Sequence, residues 1–178
     1  MRLERSDAEL FYTLWFPLLD FVNSKYHVCP EAGPIDKELG VDACDAKAIA
    51  DYLWSHTGVI EEYLATAKLS EENAQIVSGW QQCKAGRYIL ERHLKKGSVF
   101  ISAEDGAVYM VKGLFSTWPE MLGEAPVLLD AVLIPFKGSI ISDGLVMPYR
   151  ICFGKGVREE FKDAYMNAKK NNAIRFSI

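Results

Sequence analysis

The sequence has no uninterrupted apolar run of the ~18 to 20 residues that a membrane span requires, so a membrane is excluded as a partner. No basic stretch leads into an apolar core near the first residues, so no secretory leader is expected and a cytoplasmic location is. Cysteine is scarce, with 4 residues at irregular positions, which without a leader predicts free thiols in a reducing compartment. There are only 3 histidines and no CxxC, HxxxH or HExxH spacing, which speaks against a zinc site. The nearest approach to a ligand cluster is His27-Val28-Cys29, with Cys44, His56, Cys83 and His93 scattered elsewhere. The acidic stretch Asp36 to Asp45 lacks alternating Asp or Asn ligands before Gly40, so it is not a calcium loop. No nucleophile elbow, Walker A loop, internal repeat or low-complexity segment occurs. No metal and no cofactor are therefore expected, and no catalytic residue can be named.

What is present is an ordinary globular composition, 49% hydrophobic and 25% charged over 178 residues, enough for one large domain or two small ones. The net charge of −4 hides a split. Residues 1–86 carry 7 Lys/Arg against 14 Asp/Glu and residues 87–178 carry 13 against 10, balances of −7 and +3. Periodicity changes at the same place, which divides the chain into a helical part, 1–86, and a β-rich part, 87–178, as layers of one unit.

The second part is organised around Val127 to Phe136, apolar everywhere but Asp130, which reads as a strand buried on both faces. Pro135 cannot donate to a ladder, so this strand should end there or lie at an edge. Lys137-Gly138 and Asp143-Gly144 are hairpin-type turns flanking a short strand, Ser139 to Ser142. Tyr149 to Phe153 reads as a further strand. From Val157 the period becomes helical, with Val157, Phe161, Ala164, Tyr165 and Ala168 on one face of a helix over 157–170. Ile174, Phe176 and Ile178 alternate as a terminal strand. Upstream, Tyr88 to Leu94, Val99 to Ser102 and Ala107 to Lys112 read as strands. Thr117 caps a short helical turn containing Pro119.

In the first part, Ser6 and Glu9 have the spacing of a capping box before a helix rich in Leu, Phe and Trp, with a kink expected at Pro17. Helices are predicted over Ala46 to Ser55, Ile60 to Ala67 and from a Ser70 cap to about Cys83. The fold class is α+β: an N-terminal all-helical layer of about four helices packed on a C-terminal curved antiparallel sheet or small partly open β-barrel, with one long C-terminal helix.

Five candidate sites follow. Gly154-Lys155-Gly156 with Arg158 joins a strand end to a helix start, where free N–H groups and basic side chains favour an anion. Cys83 or Cys152 paired with His93 is the only route to nucleophilic catalysis, and a cysteine inside an apolar segment such as Cys152 reads as inert core. Glu91 and His93 share one strand face, with Arg92 on the other. Arg92, His93, Asp143 and Arg150 are the residues expected to line any deep pocket. Arg87, Arg92, Lys95, Lys96, Lys112 and Arg150, with Tyr88, Tyr109 and Tyr149, form a candidate nucleic-acid face, disfavoured by the mild charge of this part.

The segments Arg92-His93-Leu94-Lys95-Lys96, Leu133 to Gly138, Ile140 to Gly144 and Phe153 to Gly156 together resemble a family of bacterial proteins with no assigned activity. The resemblance spans mainly residues 70–178. Some members carry a Cys-rich SEC-C metal-binding motif, which this sequence lacks. It implies a recurring bacterial cytoplasmic module and transfers no catalytic residue.

The function expected is a non-catalytic cytoplasmic binding or protein-interaction module, with homodimerisation as a further expectation because the two parts are oppositely charged. The alternatives are an enzyme or sensor taking a phosphorylated small molecule at the Gly154–Arg158 bend, and weak nucleic-acid binding by the β-rich part.

Overall fold

Aromatic residues at helical spacing build the first unit. The computed structural model describes residues 1–35 and 42–178, so most of the acidic stretch 36–45 lies outside the described residues. The chain divides into two units, residues 4–83 and residues 84–178 joined by residues 1–3. In the first, α1 (Arg5–Tyr26) buries Phe11, Leu14, Trp15, Leu18, Leu19 and Val22, the stripe its i, i+3, i+4 spacing predicts. Phe11 stacks on Trp15 with ring centroids 5.6 Å apart and meets Trp80 at 5.3 Å. The helix runs unbroken through Pro17. The Ser6–Glu9 capping box does not form: the helix begins earlier, after Glu4, and Glu9 pairs instead with Arg5 at 2.9 Å.

Asp42 caps α2 (Ala43–Ser55) by accepting the Cys44 N–H at 2.8 Å. After α3 (Val59–Leu64), Ser70 Oγ accepts the Asn73 N–H at 3.3 Å and starts α4 (Glu71–Gly79). A 3₁₀ turn, Trp80–Gln82, closes the unit.

The second unit is a closed five-stranded barrel with one extra strand. Its strands are β1 (Lys84–Leu94), β2 (Gly97–Ser102), β3 (Val108–Val111), β4 (Val127–Phe136), β5 (Ser139–Ile141) and the short β6 (Met147–Pro148). Their order is β1-β2-β3-β5-β4, and β4 closes the barrel on β1 through pairs from Lys84↔Leu133 to Leu90↔Val127. All pairings are antiparallel except β3 with β5, joined by the single parallel pair Val111↔Ile140. A short helix, α5 (Trp118–Leu122), lies between β3 and β4. The arrangement is a five-stranded Greek-key barrel, the architecture used by OB-folds.

Inside sit Tyr88, Leu90, Phe100, Tyr109, Val111, Leu129, Leu133 and Ile140, with Trp118 of α5 packed on Phe100 at 4.8 Å. Pro135 lies beyond the last β1 pair, where β4 has an open edge, so its missing N–H costs no ladder bond there. The expected strand over Tyr149 to Phe153 is absent, and only Met147–Pro148 pairs with β4. Cys152 is accordingly exposed rather than a core residue.

The opposite strand faces make a second core. Ile89, Val99, Ile101, Val108 and Met110 point outward under α6 (Lys155–Lys170), which contributes Phe161, Ala164, Tyr165 and Ala168. Val157, expected on that face, lies in the first turn of the helix, which starts at Lys155, and is 39% exposed. The first residues also belong to this unit: Leu3 N–H donates to Gly113 O at 2.9 Å beside an Arg2↔Gly113 bridge. No described helix is long and apolar enough to cross a membrane.

Candidate functional site

Four segments meet around a groove of about 670 Å³ in the barrel unit. Leu94, Lys95 and Lys96 come from the end of β1 and its turn, Met110 from β3, Tyr165 and Lys169 from α6, and Asn172, Ile174 and Phe176 from the tail. Tyr165 and Lys169 are four apart and so share a helix face. Asn172 takes the left-handed conformation (φ 51°) and turns the chain back. The tail then docks on β3: Met110 N–H donates to Arg175 O at 2.9 Å and Arg175 N–H to Val108 O at 2.8 Å. Alternation along an extended chain sends Ile174 and Phe176 to the groove and Arg175 to the other side. There Arg175 Nη1 donates to Tyr109 Oη at 3.0 Å.

The floor is held by close packing. Gly97 (φ 151°) lies so near Met110 that a Cβ there would sit 3.2 Å from its Cγ and Sδ and 2.8 Å from Val111 O. Among the described residues, the lining includes three lysines, Lys95, Lys96 and Lys169, and no Asp or Glu. Lys169 stands in the last turn of α6, where the helix dipole favours a cation.

Lys95 and Lys96, selected from the sequence for a nucleic-acid face, line this groove, and the other sequence-selected residues lie elsewhere. A β-bulge between Leu90 and Arg92 makes Glu91 an extra residue and shifts the alternation. Arg92 therefore pairs with Val99, an outward residue, while His93 pairs with Ser98. The expected sharing of one face by Glu91 and His93 is thus corrected. Instead Arg92 binds Glu91 through two hydrogen bonds and stacks 4.2 Å over the Tyr165 ring.

His93 Nε2 lies 3.0 Å from Gly123 O, which can only accept, so Nε2 carries the proton. In the neutral ring Nδ1 then accepts from Ser98 Oγ at 2.8 Å. This Ser–His contact escaped the sequence because the two residues meet only through strand register. Ser98 is 1% exposed and is closed to a substrate.

Asp143 is buried in the turn after β5 and accepts the Leu145 N–H at 3.0 Å. Arg150 is exposed in the irregular segment after β6. None of Arg92, His93, Asp143 and Arg150 lines the groove.

Gly154, Lys155, Gly156 and Arg158 form the exposed start of α6, with Gly154 as N-cap and no side-chain cap. Arg158 Nε donates to Phe153 O at 3.0 Å, which turns part of its guanidinium back toward the preceding chain. The expected basic and aromatic nucleic-acid face is not assembled. Tyr88 and Tyr109 are inside the barrel, Lys112 donates to Ser139 Oγ at 2.9 Å, and Arg87 is engaged on the opposite side of β1 from Tyr88. There Arg87 Nε donates to Asp130 at 3.0 Å, and Tyr149 Oη donates to the same carboxylate at 2.5 Å. The second bond pushes the Tyr149 hydroxyl above the usual tyrosine range, since an ionised phenol could not donate to Asp130.

Among the described residues no group of three or more His, Cys, Asp or Glu is placed to hold a metal ion. Comparison of the chain with models of known protein families, with curated proteins and with solved structures finds no match.

Proposed function

We propose that this protein is a non-catalytic binding module whose recognition site is the groove between the β1–β2 turn and the C-terminal tail, and that it recognises an apolar anion there. One observation carries the reading: among the described residues, the lining of this cavity holds three lysines, no Asp or Glu and a mostly apolar remainder, and its volume falls within the ~300 to 1,000 Å³ range of small-molecule sites. The lining joins a large apolar surface to a few convergent polar groups, the pattern of a ligand site rather than of a solvated surface. The burial of Ser98 supports a binding role over a catalytic one. The scarcity of cysteine, 4 residues at irregular positions, supports a cytoplasmic setting.

The Gly154–Arg158 bend supports a phosphorylated ligand less well, because Arg158 is already bonded to the Phe153 carbonyl. Nucleic-acid binding on the outer face of β2 and β3, where OB-folds bind oligonucleotides, is opposed by α6 packed over those strands.

The test uses 8-anilinonaphthalene-1-sulfonate, an aromatic anion, in a fluorescence titration of the full chain and a Lys95→Gln/Lys96→Gln/Lys169→Gln variant. Saturable binding, weakened about tenfold or more in the variant with an unchanged circular dichroism spectrum, is expected. Equal binding by both proteins, or none by either, overturns the reading.

A further inference from the structure

The lysine-rimmed groove also restricts what kind of anion fits it. We infer that its occupant is a single-headed apolar carboxylate, an acyl or arylalkyl chain ending in one monoanion, rather than a phosphate ester. This inference rests on the binding-module reading above.

Phosphate is commonly bound by a guanidinium fork or by the free N–H groups of a helix N-terminus. The groove offers neither. Arg92, the guanidinium packed on the groove residue Tyr165, is engaged by both oxygens of Glu91. The helix end at the site is the C-terminus of α6, marked by Lys169 and Asn172, whose dipole presents partial negative charge. That partial charge opposes a head carrying about −1.5 to −2, as a phosphate monoester does near neutrality, more than it opposes a monoanion.

Ammonium groups are mobile point donors on flexible stems, able to meet one carboxylate without a fixed fork geometry. Asn172 adds an amide donor at the same rim. Below the rim, Leu94, Met110, Ile174 and Phe176 offer hydrocarbon surface to an extended chain. Phe176 is 51% exposed and Leu94 36%, so a chain laid across them removes apolar surface from water on both partners.

The experiment titrates the full chain with decanoate, decyl phosphate and decanol, each below its aggregation concentration. Binding is followed by displacement of 8-anilinonaphthalene-1-sulfonate and by amide chemical shifts. Decanoate is expected to bind about tenfold or more tightly than decanol and several-fold more tightly than decyl phosphate, with shifts at Lys96, Lys169 and Phe176. Phe176→Ala should weaken decanoate about fivefold while leaving the unfolding midpoint unchanged. Decyl phosphate binding as well as or better than decanoate overturns the inference and leaves the groove reading standing. Decanol matching decanoate overturns the inference by showing that the lysines read no charge. Failure of all three compounds and of the fluorescent anion overturns the groove reading itself.

Discussion

The Arg92 guanidinium lies 4.2 Å over the ring of Tyr165 while both its bonding arms reach Glu91. One side chain thus ties the bulge of β1 to the helix that covers the outer strand face. It also engages the guanidinium packed on the groove residue Tyr165, and the lysines set the charge of the groove lining.

Arg92→Met should destabilise the fold by about 1 to 2 kcal/mol, from the lost stacking and charge-assisted bonds. Glu91 is 9% exposed and would be left without this partner, so adding Glu91→Gln should recover part of the loss. Urea unfolding of the two single variants and the double variant measures the coupling, and strict additivity would count against the pairing.

Gly113 and Gly97 should both resist substitution, to different degrees. A Cβ at Gly113 would lie 2.0 Å from Ser116 O, a backbone atom, so Gly113→Ala requires the loop before α5 to move. Gly97→Ala meets the flexible Met110 side chain as well as Val111 O, and overpacking of this kind costs typically about 1 to 3 kcal/mol. Thermal unfolding should place Gly113→Ala below Gly97→Ala. Because Met110 floors the groove, Gly97→Ala should also weaken binding of the fluorescent anion.

Acid should loosen the cap of α5. The Glu120 carboxylate accepts the Thr117 N–H at 2.6 Å and its hydroxyl at 2.8 Å, and these bonds hold its pKa below the ordinary glutamate value of 4.5. A carboxyl with a lowered folded pKa stabilises fully above the unfolded value, and the contribution disappears as pH falls through the folded one. The gap in unfolding midpoint between the native chain and Glu120→Gln should therefore be widest above about pH 5 and narrow as the solution is acidified below 4.5. A gap independent of pH would remove the carboxylate from the account.

The docked tail should respond to Arg175→Ala. That change deletes the bond to Tyr109 Oη while leaving the two backbone bonds to β3. Hydrogen exchange at the Met110 amide, which donates to Arg175 O, should accelerate several-fold, with the amides that join β1 to β2 unaffected. Unchanged exchange at Met110 would show that the backbone pairing alone holds the tail.

Local features were legible wherever neighbours in sequence decide them. The apolar run Val127 to Phe136 is β4, the open edge at Pro135 is real, and Ser70 and the Thr117–Glu120 pair cap helices as their spacing implies. The change to helical period announced α6, whereas the terminal strand expected from alternation over Ile174 to Ile178 is reduced to a single bridge, Tyr109↔Arg175. Reading failed where a single backbone irregularity reassigns a face. The bulge at Glu91 sends Arg92 to Tyr165 and His93 to Ser98, and no periodic pattern encodes one extra residue. Tyr149 to Phe153 has strand composition, but the pairing with β4 ends at Pro148, so its β propensity goes unused.

By itself, then, the order of residues determined the α+β class, the lack of a long apolar span and most element positions, because these depend on contacts a few residues apart. Only the tertiary structure decided that the strands close into a barrel through β1–β4 and the parallel β3–β5 contact. It alone brought Lys95, Met110, Lys169 and Phe176 around one groove. Their separations along the chain carry no periodic signal, and the strand register and the reversal at Asn172 set which of them meet.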